Sequence, residues 1–315
     1  MERRRLSRLA AGHLLVLASA LCMACSQQSP RVSEPTEVPI IGGTLISDLG
    51  QDRPADLYLP PAYSGSEATP LLVLLHGYGA SGTLQEAYFK LAPAVARHGF
   101  IYAVPDGTLD AAGQRFWNAT EACCNFDNRD VDDTAYLIGL IDEIESRYAL
   151  DPGRIFLVGY SNGGFMALRL ACQYTERFAA VVSIAGAQSL ERSDCQASKG
   201  VHFLQIHGTA DPTVHYKGGH WFGNAYPGAR ETVETWVAIN ECQPVPVTLE
   251  PVNLDSAIPG PETTRERWPG CAPGTSAALW TIRSGGHVPA LATSFGDTLL
   301  DYLVELGEDR RWPGD

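Results

Sequence analysis

Lysine is nearly missing from this chain. Lys90, Lys199 and Lys217 are the only three among 315 residues, and the net charge is −13. A chain so acidic, with no basic patch in its body, is a poor match for nucleic acid or an anionic lipid surface, and neither is expected as a partner. Beyond residue 25 the cysteines show no Cys-x-x-Cys spacing and no tight His/Cys cluster, so no metal is expected, and no motif calls for a cofactor. There is no internal repeat, and no low-complexity segment beyond a short tether. What remains, 45% apolar and 19% charged, is enough to bury a sizeable core in one domain.

The first stretch reads as a targeting segment. Arg3, Arg4, Arg5 and Arg8 precede an apolar run over 9–23, the pattern of a signal peptide, and that run is short for a membrane span. Leu21-Cys22-Met23-Ala24-Cys25 resembles a bacterial lipoprotein processing site with Cys25 as the lipidated residue, although Cys22 stands where leucine is usual. The expectation is an exported protein, either anchored through Cys25 as a periplasmic or outer-membrane lipoprotein or freely secreted. The expected division is a signal peptide over 1–24, a polar, proline-bearing tether over 25–39, a catalytic domain over 40–308 and a tail over 309–315.

Six cysteines remain in the exported part, and in an oxidising compartment disulfides are the default use. Their spacing leaves the connectivity open. Cys172, late on one expected helix, and Cys195, in the loop after the next strand, are placed to meet. Cys242 and Cys271 flank one insertion-like stretch. Cys123 and Cys124 are then left to each other, as a strained adjacent pair or as free thiols.

Apolar runs at 71–75, 99–104, 154–160, 179–184, 202–206 and 277–282 read as strands buried on both faces. Stretches at 84–97, from Asp130 or Asp132 to 148, at 231–239 and at 293–306 read as helices. Two short strands at 44–47 and 55–59 precede them, and a loop of more than twenty residues runs from 108 to 130. Alternation of this kind predicts an α/β fold, a mostly parallel central sheet with helices on both faces.

The chemistry centres on Gly159-Tyr160-Ser161-Asn162-Gly163, set between a strand and an Ala-rich helix. In that context the serine sits at the apex of a cramped turn and the helix start aims free N–H groups beside it. Serine needs a base and a group to orient that base. Asp211, in His207-Gly208-Thr209-Ala210-Asp211-Pro212, and His287, in Ser284-Gly285-Gly286-His287, open at later strand ends in the order that the Ser-acid-His arrangement requires. Asp106 is a rival acid, but it precedes the serine; His215 and His220 follow Asp211 without an intervening strand. The oxyanion is expected to meet the backbone N–H groups of Asn162 and Tyr78, the latter in His76-Gly77-Tyr78-Gly79, where His76 is expected to brace the loop. Trp117 and Trp221, with Phe222 and Tyr226, are candidates for a substrate wall whose aromatic faces suit a phenolic acyl group.

The ordered set His76-Gly77-Tyr78-Gly79, Val104-Pro105-Asp106-Gly107, Trp117-Asn118-Ala119, Cys123-Cys124, Val131-Asp132-Asp133, Gly159 to Gly164, His207 to Pro212 and Gly286-His287 resembles the polyhydroxybutyrate depolymerase-like and feruloyl esterase group of α/β-hydrolases. The resemblance runs over about 40–306. It implies an extracellular serine esterase for cinnamoyl esters of plant cell-wall polysaccharides or, in second place, for polyhydroxyalkanoate oligomers. It also implies Ser161, Asp211 and His287 as the catalytic set. Val288-Pro289-Ala290 stands where many of the group carry Trp-Pro-Gly, which leaves the polymer-binding edge open. An acyltransferase would share every one of these residues, and a binding protein on the same fold would more often have lost one.

Overall fold

The computed structural model describes residues 43–309; the expected leader, the Cys25 anchor and the tether lie outside the described residues, as does the tail beyond 309. In chain order the first half contains β1 (Thr44–Leu49), β2 (Ala55–Leu59), β3 (Thr69–Leu75), α1 (Gly82–Phe89), α2 (Ala92–Arg97), β4 (Ile101–Val104), β5 (Thr108–Leu109), β6 (Arg115–Phe116) and α3 (Asp133–Arg147). Next come β7 (Leu150–Tyr160), α4 (Asn162–Gln173), β8 (Ala180–Ile184), β9 (His202–Gly208), β10 (Gly218–Trp221) and β11 (Asn224–Pro227). The chain closes with α5 (Ala229–Ile239), β12 (Val247–Val252), β13 (Thr263–Trp268), β14 (Ser276–Ile282) and α6 (Phe295–Asp309).

Ten strands form one sheet in the order β1-β2-β4-β3-β7-β8-β9-β14-β13-β12. The six from β4 to β14 pair in parallel. Antiparallel strands extend it at both edges. Successive side chains on a strand face opposite ways, and the run in β3 shows why it is apolar throughout. Leu71, Val73 and Leu75 enter the core that holds Leu140 and Ile144 of α3, Leu170 of α4 and Trp236 of α5. Leu72 and Leu74 enter the opposite core with Phe89, Val95, Leu299 and Leu303 from α1, α2 and α6. The helices therefore cover both faces. Among the described residues no helix is long and apolar enough to cross a membrane.

Three expectations are adjusted. The helix expected over 84–97 is two helices, because Lys90 turns left-handed (φ 53°) and Pro93 cannot continue the first one. The break is closed by buried Glu86, whose carboxylate accepts from Ala92 N–H at 2.9 Å and from the Tyr102 hydroxyl. The long loop carries the small β5–β6 hairpin. No strand is expected between 239 and 277, yet β13 pairs with β14 and β12 with β13; their partly exposed, polar sequences hid them. Asp132 does cap α3, its carboxylate accepting from Ala135 N–H at 2.9 Å. Disulfides join Cys172 to Cys195, Cys242 to Cys271, and Cys123 to Cys124, the last pair across a cis peptide bond.

Candidate active site

Strand β7 ends against α4 with a single residue between them, and that residue is Ser161. Its backbone lies at φ 52°, ψ −119°, a strained setting for a side chain other than glycine. Its N–H is tied to Ile184 O at 2.8 Å and its carbonyl accepts from Phe165 N–H at 3.0 Å, so strand and helix grip the turn from both sides. The flanking glycines are steric necessities. A Cβ on Gly159 would stand 2.0 Å from Gly163 O, and one on Gly163 2.3 Å from Leu75 O.

The loops after β9 and β14 bring Asp211 and His287 to the same edge of the sheet as Ser161. His287 Nε2 lies 3.0 Å from Ser161 Oγ, and His287 Nδ1 lies 2.7 Å from Asp211 Oδ2. With Nδ1–H donating to the carboxylate, Nε2 is left to accept the serine proton. Asp211 Oδ1 is held by Thr213 N–H at 2.8 Å and Val214 N–H at 2.9 Å. Burial alone would raise the Asp211 carboxyl, but hydrogen bonds from His207 and His287, with the His287 charge and Thr213 N–H, outweigh it and hold the group far below the usual carboxylate range. The Tyr160 hydroxyl donates to His287 O at 2.6 Å and fixes the histidine's backbone.

The first N–H groups of α4 have no acceptor within the helix. The loop at 76–79 lies directly opposite: a Cβ on Gly77 would come to 3.4 Å from Ser161 Cβ. Among the described residues the backbone N–H of Tyr78 donates to no protein acceptor. His76 braces this loop, donating from Nδ1 to Gly77 O at 2.8 Å and accepting Gly107 N–H at Nε2, also at 2.8 Å. Burial pushes its imidazole down to about 4, so it is neutral at ordinary pH.

Other candidates separate from the site. Asp106 accepts from Gly82 N–H at 2.8 Å and pairs with Arg115 at 3.1 Å. His215 and His220 are exposed. Trp117, expected in a substrate wall, is fully buried; its indole N–H donates to His76 O at 3.0 Å and its ring packs on the His76 ring. It offers a ligand no surface and instead holds the 76–79 loop from beneath. Trp221 is half-buried against Phe165 and Tyr226. Two contributors escaped sequence reasoning. The Asn162 side chain clamps the Trp117 backbone, accepting its N–H at 2.7 Å and donating to its carbonyl at 2.9 Å. His207 Nε2 donates to Val214 O at 2.8 Å and also stands 3.3 Å from Asp211 Oδ2. The available signal was Gln205 and His207 alternating with apolar residues on a buried strand.

A cavity of about 540 Å³ lies along α4, lined by polar groups of the 118–128 loop, Arg169, Gln188 and Asn224; the three residues of the Ser161 cluster do not line it. Among the described residues no group of His, Cys, Asp and Glu side chains is arranged to hold a metal ion.

Residues 62–235 match the model of the phospholipase/carboxylesterase family. Feruloyl esterase B of Piromyces equi is 29% identical over 236 residues, 72% of this chain, which spans only 41% of that relative's length. The putative esterase NocK of Nocardia uniformis subsp. tsuyamanensis is 26% identical over 282 residues, 81% of this chain and 80% of that protein. Feruloyl esterase D of Neurospora crassa is 26% identical over 264 residues, 79% of each. Among solved structures, an acetyl xylan esterase from Aspergillus awamori superposes with a TM-score of 0.59 at 16% identity, over 83% of this chain and 98% of that one. A Bacillus cereus carboxylesterase does so at 0.52 and 18%, over 80% and 93%. At such identities the shared property is the fold, a sheet flanked by helices.

Proposed function

The chain belongs to the phospholipase/carboxylesterase family, and from that premise we propose that this α/β-hydrolase serine esterase is exported and cleaves feruloyl or related cinnamoyl esters carried by plant cell-wall polysaccharide. Ser161 Oγ attacks the ester carbonyl while His287 Nε2 takes its proton. Asp211 holds the imidazole in the tautomer that can do so and stabilises the imidazolium that forms. The N–H groups of Asn162 and Tyr78 receive the developing oxyanion, each donor contributing roughly 3–4 kcal/mol to the barrier reduction. His287 then protonates the departing alcohol, and water, activated by the same nitrogen, releases the acid from the serine.

The observation that carries the reading is the unbroken contact from Ser161 through His287 to Asp211, at 3.0 and 2.7 Å. The aryl acyl group is favoured because two of the relatives above bear the name feruloyl esterase. The test is a rate comparison on methyl ferulate, a hydroxybutyrate trimer and a short-chain nitrophenyl ester. Methyl ferulate is expected to have the highest kcat/KM, and a faster trimer overturns the acyl assignment. Ser161→Ala is expected to lower kcat roughly 10⁶-fold with unchanged circular dichroism; substantial residual turnover removes the mechanism.

A further inference from the structure

Three aromatic rings that a core would normally claim stand in solvent beside the oxyanion loop. Tyr78, Phe126 and Phe222 are 40%, 42% and 84% exposed. They come from three separate loops, yet they touch in a row: the Tyr78 and Phe126 centroids are 5.6 Å apart and those of Phe126 and Phe222 are 5.0 Å apart. The row begins one residue from Gly77, at the wall of the serine turn, and runs outward. The Tyr78 hydroxyl is anchored on Asp110, and the hairpin tip is tied to the long loop by Asn224 Nδ2 donating to Glu121 O at 2.9 Å.

Phe222 is the informative member. It occupies the first central position of the two-residue β10–β11 turn, with φ 48°, before Gly223 at φ 89°. Positive φ at both central positions is the setting in which Asn-Gly is favoured and a bulky ring is disfavoured. Neither turn geometry nor burial explains a phenylalanine there. Contact with a ligand does.

The ligand's chemistry follows from what surrounds the rings. The 118–128 loop and the hairpin tip that carry Phe126 and Phe222 also supply Asn125, Asn128, Glu121 and Asn224 to the 540 Å³ cavity. Exposed ring faces next to amides and carboxylates suit a molecule with an apolar C–H face and a hydroxyl rim, which is a sugar ring. A net charge of −13 disfavours a uronate chain and favours a neutral one. A row of three rings is also longer than a single aryl acyl group needs.

We propose that Tyr78, Phe126 and Phe222 form a platform for the neutral sugar chain on the alcohol side of the ester, with the amides of the 118–128 loop and Asn224 as hydroxyl partners. This rests on the reading of the chain as an esterase for polysaccharide-borne esters. The test measures binding without turnover: the Ser161→Ala protein is titrated with xylohexaose and, for contrast, with an oligogalacturonate. Xylohexaose is expected to bind and the uronate oligomer to bind far more weakly. Phe222→Ala, at an exposed tip, and Asn128→Gly, which keeps the left-handed backbone (φ 52°), are each expected to weaken xylohexaose about fivefold, while Phe222→Trp retains it. Absence of xylohexaose binding, or equal affinity in Phe222→Ala, overturns the platform. Turnover of methyl ferulate separates the two readings. Binding that depends on Phe222 without such turnover sinks only the acyl assignment, and turnover without binding sinks only the platform.

Discussion

His207 Nε2 stands 3.3 Å from Asp211 Oδ2, the oxygen that also accepts His287 Nδ1–H at 2.7 Å. Both side chains are out of water, at 1% and 0% exposure. A carboxylate with one histidine partner can swing about its χ2 axis; a second donor and two backbone N–H groups on Oδ1 remove that freedom. His207 is itself aimed by Val214 O at 2.8 Å and by Gln205 Nε2, 3.3 Å from its Nδ1.

It follows that His207 positions Asp211 and touches no substrate. His207→Ala is expected to lower kcat on nitrophenyl acetate about 10²-fold, the scale of a misplaced catalytic group, with KM unchanged. His207→Gln, which keeps a donor near Oδ2, is expected to recover much of the loss. Steady-state kinetics on the three proteins decide it. Equal kcat in the Ala variant reduces His207 to packing.

His76 makes the fold's stability depend on pH. Its folded-state pKa is about 4 because burial disfavours the cation, whereas an unfolded histidine titrates near ~6.5. Between these values the unfolded chain binds a proton that the native state refuses. Stability from this group is therefore complete above ~6.5 and is lost as pH falls toward 4, at up to ~1.4 kcal/mol per pH unit. Urea unfolding at stepped pH should show that His76→Asn is less stable at pH 7 yet flatter across this window. An unchanged slope refutes the assignment.

Much of this architecture is legible in the sequence because burial on both faces keeps the central strands largely apolar. Leu71 to Leu75 and Ile155 to Tyr160 are such runs, and Ser161, Asp211 and His287 stand just beyond strand ends. β13 was hidden for the opposite reason. Thr263 and Trp268 are buried, but Arg265 and Glu266 between them face partly outward, and Arg265 lies over the Trp280 ring. Such a strand reads as a charged loop until its neighbour is known. Trp117 carries the same letter whether it braces a loop or lines a pocket; only its buried bond to His76 O separates the two.

Asn162 does two jobs with different atoms. Its backbone N–H is a donor in the proposed mechanism, while its amide side chain makes two hydrogen bonds to the buried Trp117 backbone. Asn162→Ala keeps the first and deletes the second, stranding a buried N–H and carbonyl. A stability loss of about 2–3 kcal/mol is expected, read by denaturant titration, with a smaller effect on the kcat of the folded fraction.

The environment of Asp211 also dictates what an amide in its place would do. Thr213 and Val214 donate to Oδ1, so in Asp211→Asn the carbonyl oxygen must stay there and the NH₂ group must occupy the Oδ2 position. There it donates to His287 Nδ1 and meets the His207 Nε2 donor head-on. His287 is then forced to carry its proton on Nε2, pointing at Ser161 Oγ and unable to accept from it. The expected result is a loss of roughly 10⁴-fold in kcat at neutral pH with Ser161 and His287 still in place. Nitrogen-15 shifts of His287 should report the Nδ1–H tautomer in the wild type and the Nε2–H tautomer in the variant. If the variant keeps the Nδ1–H tautomer, orientation by Asp211 is not what makes His287 a base.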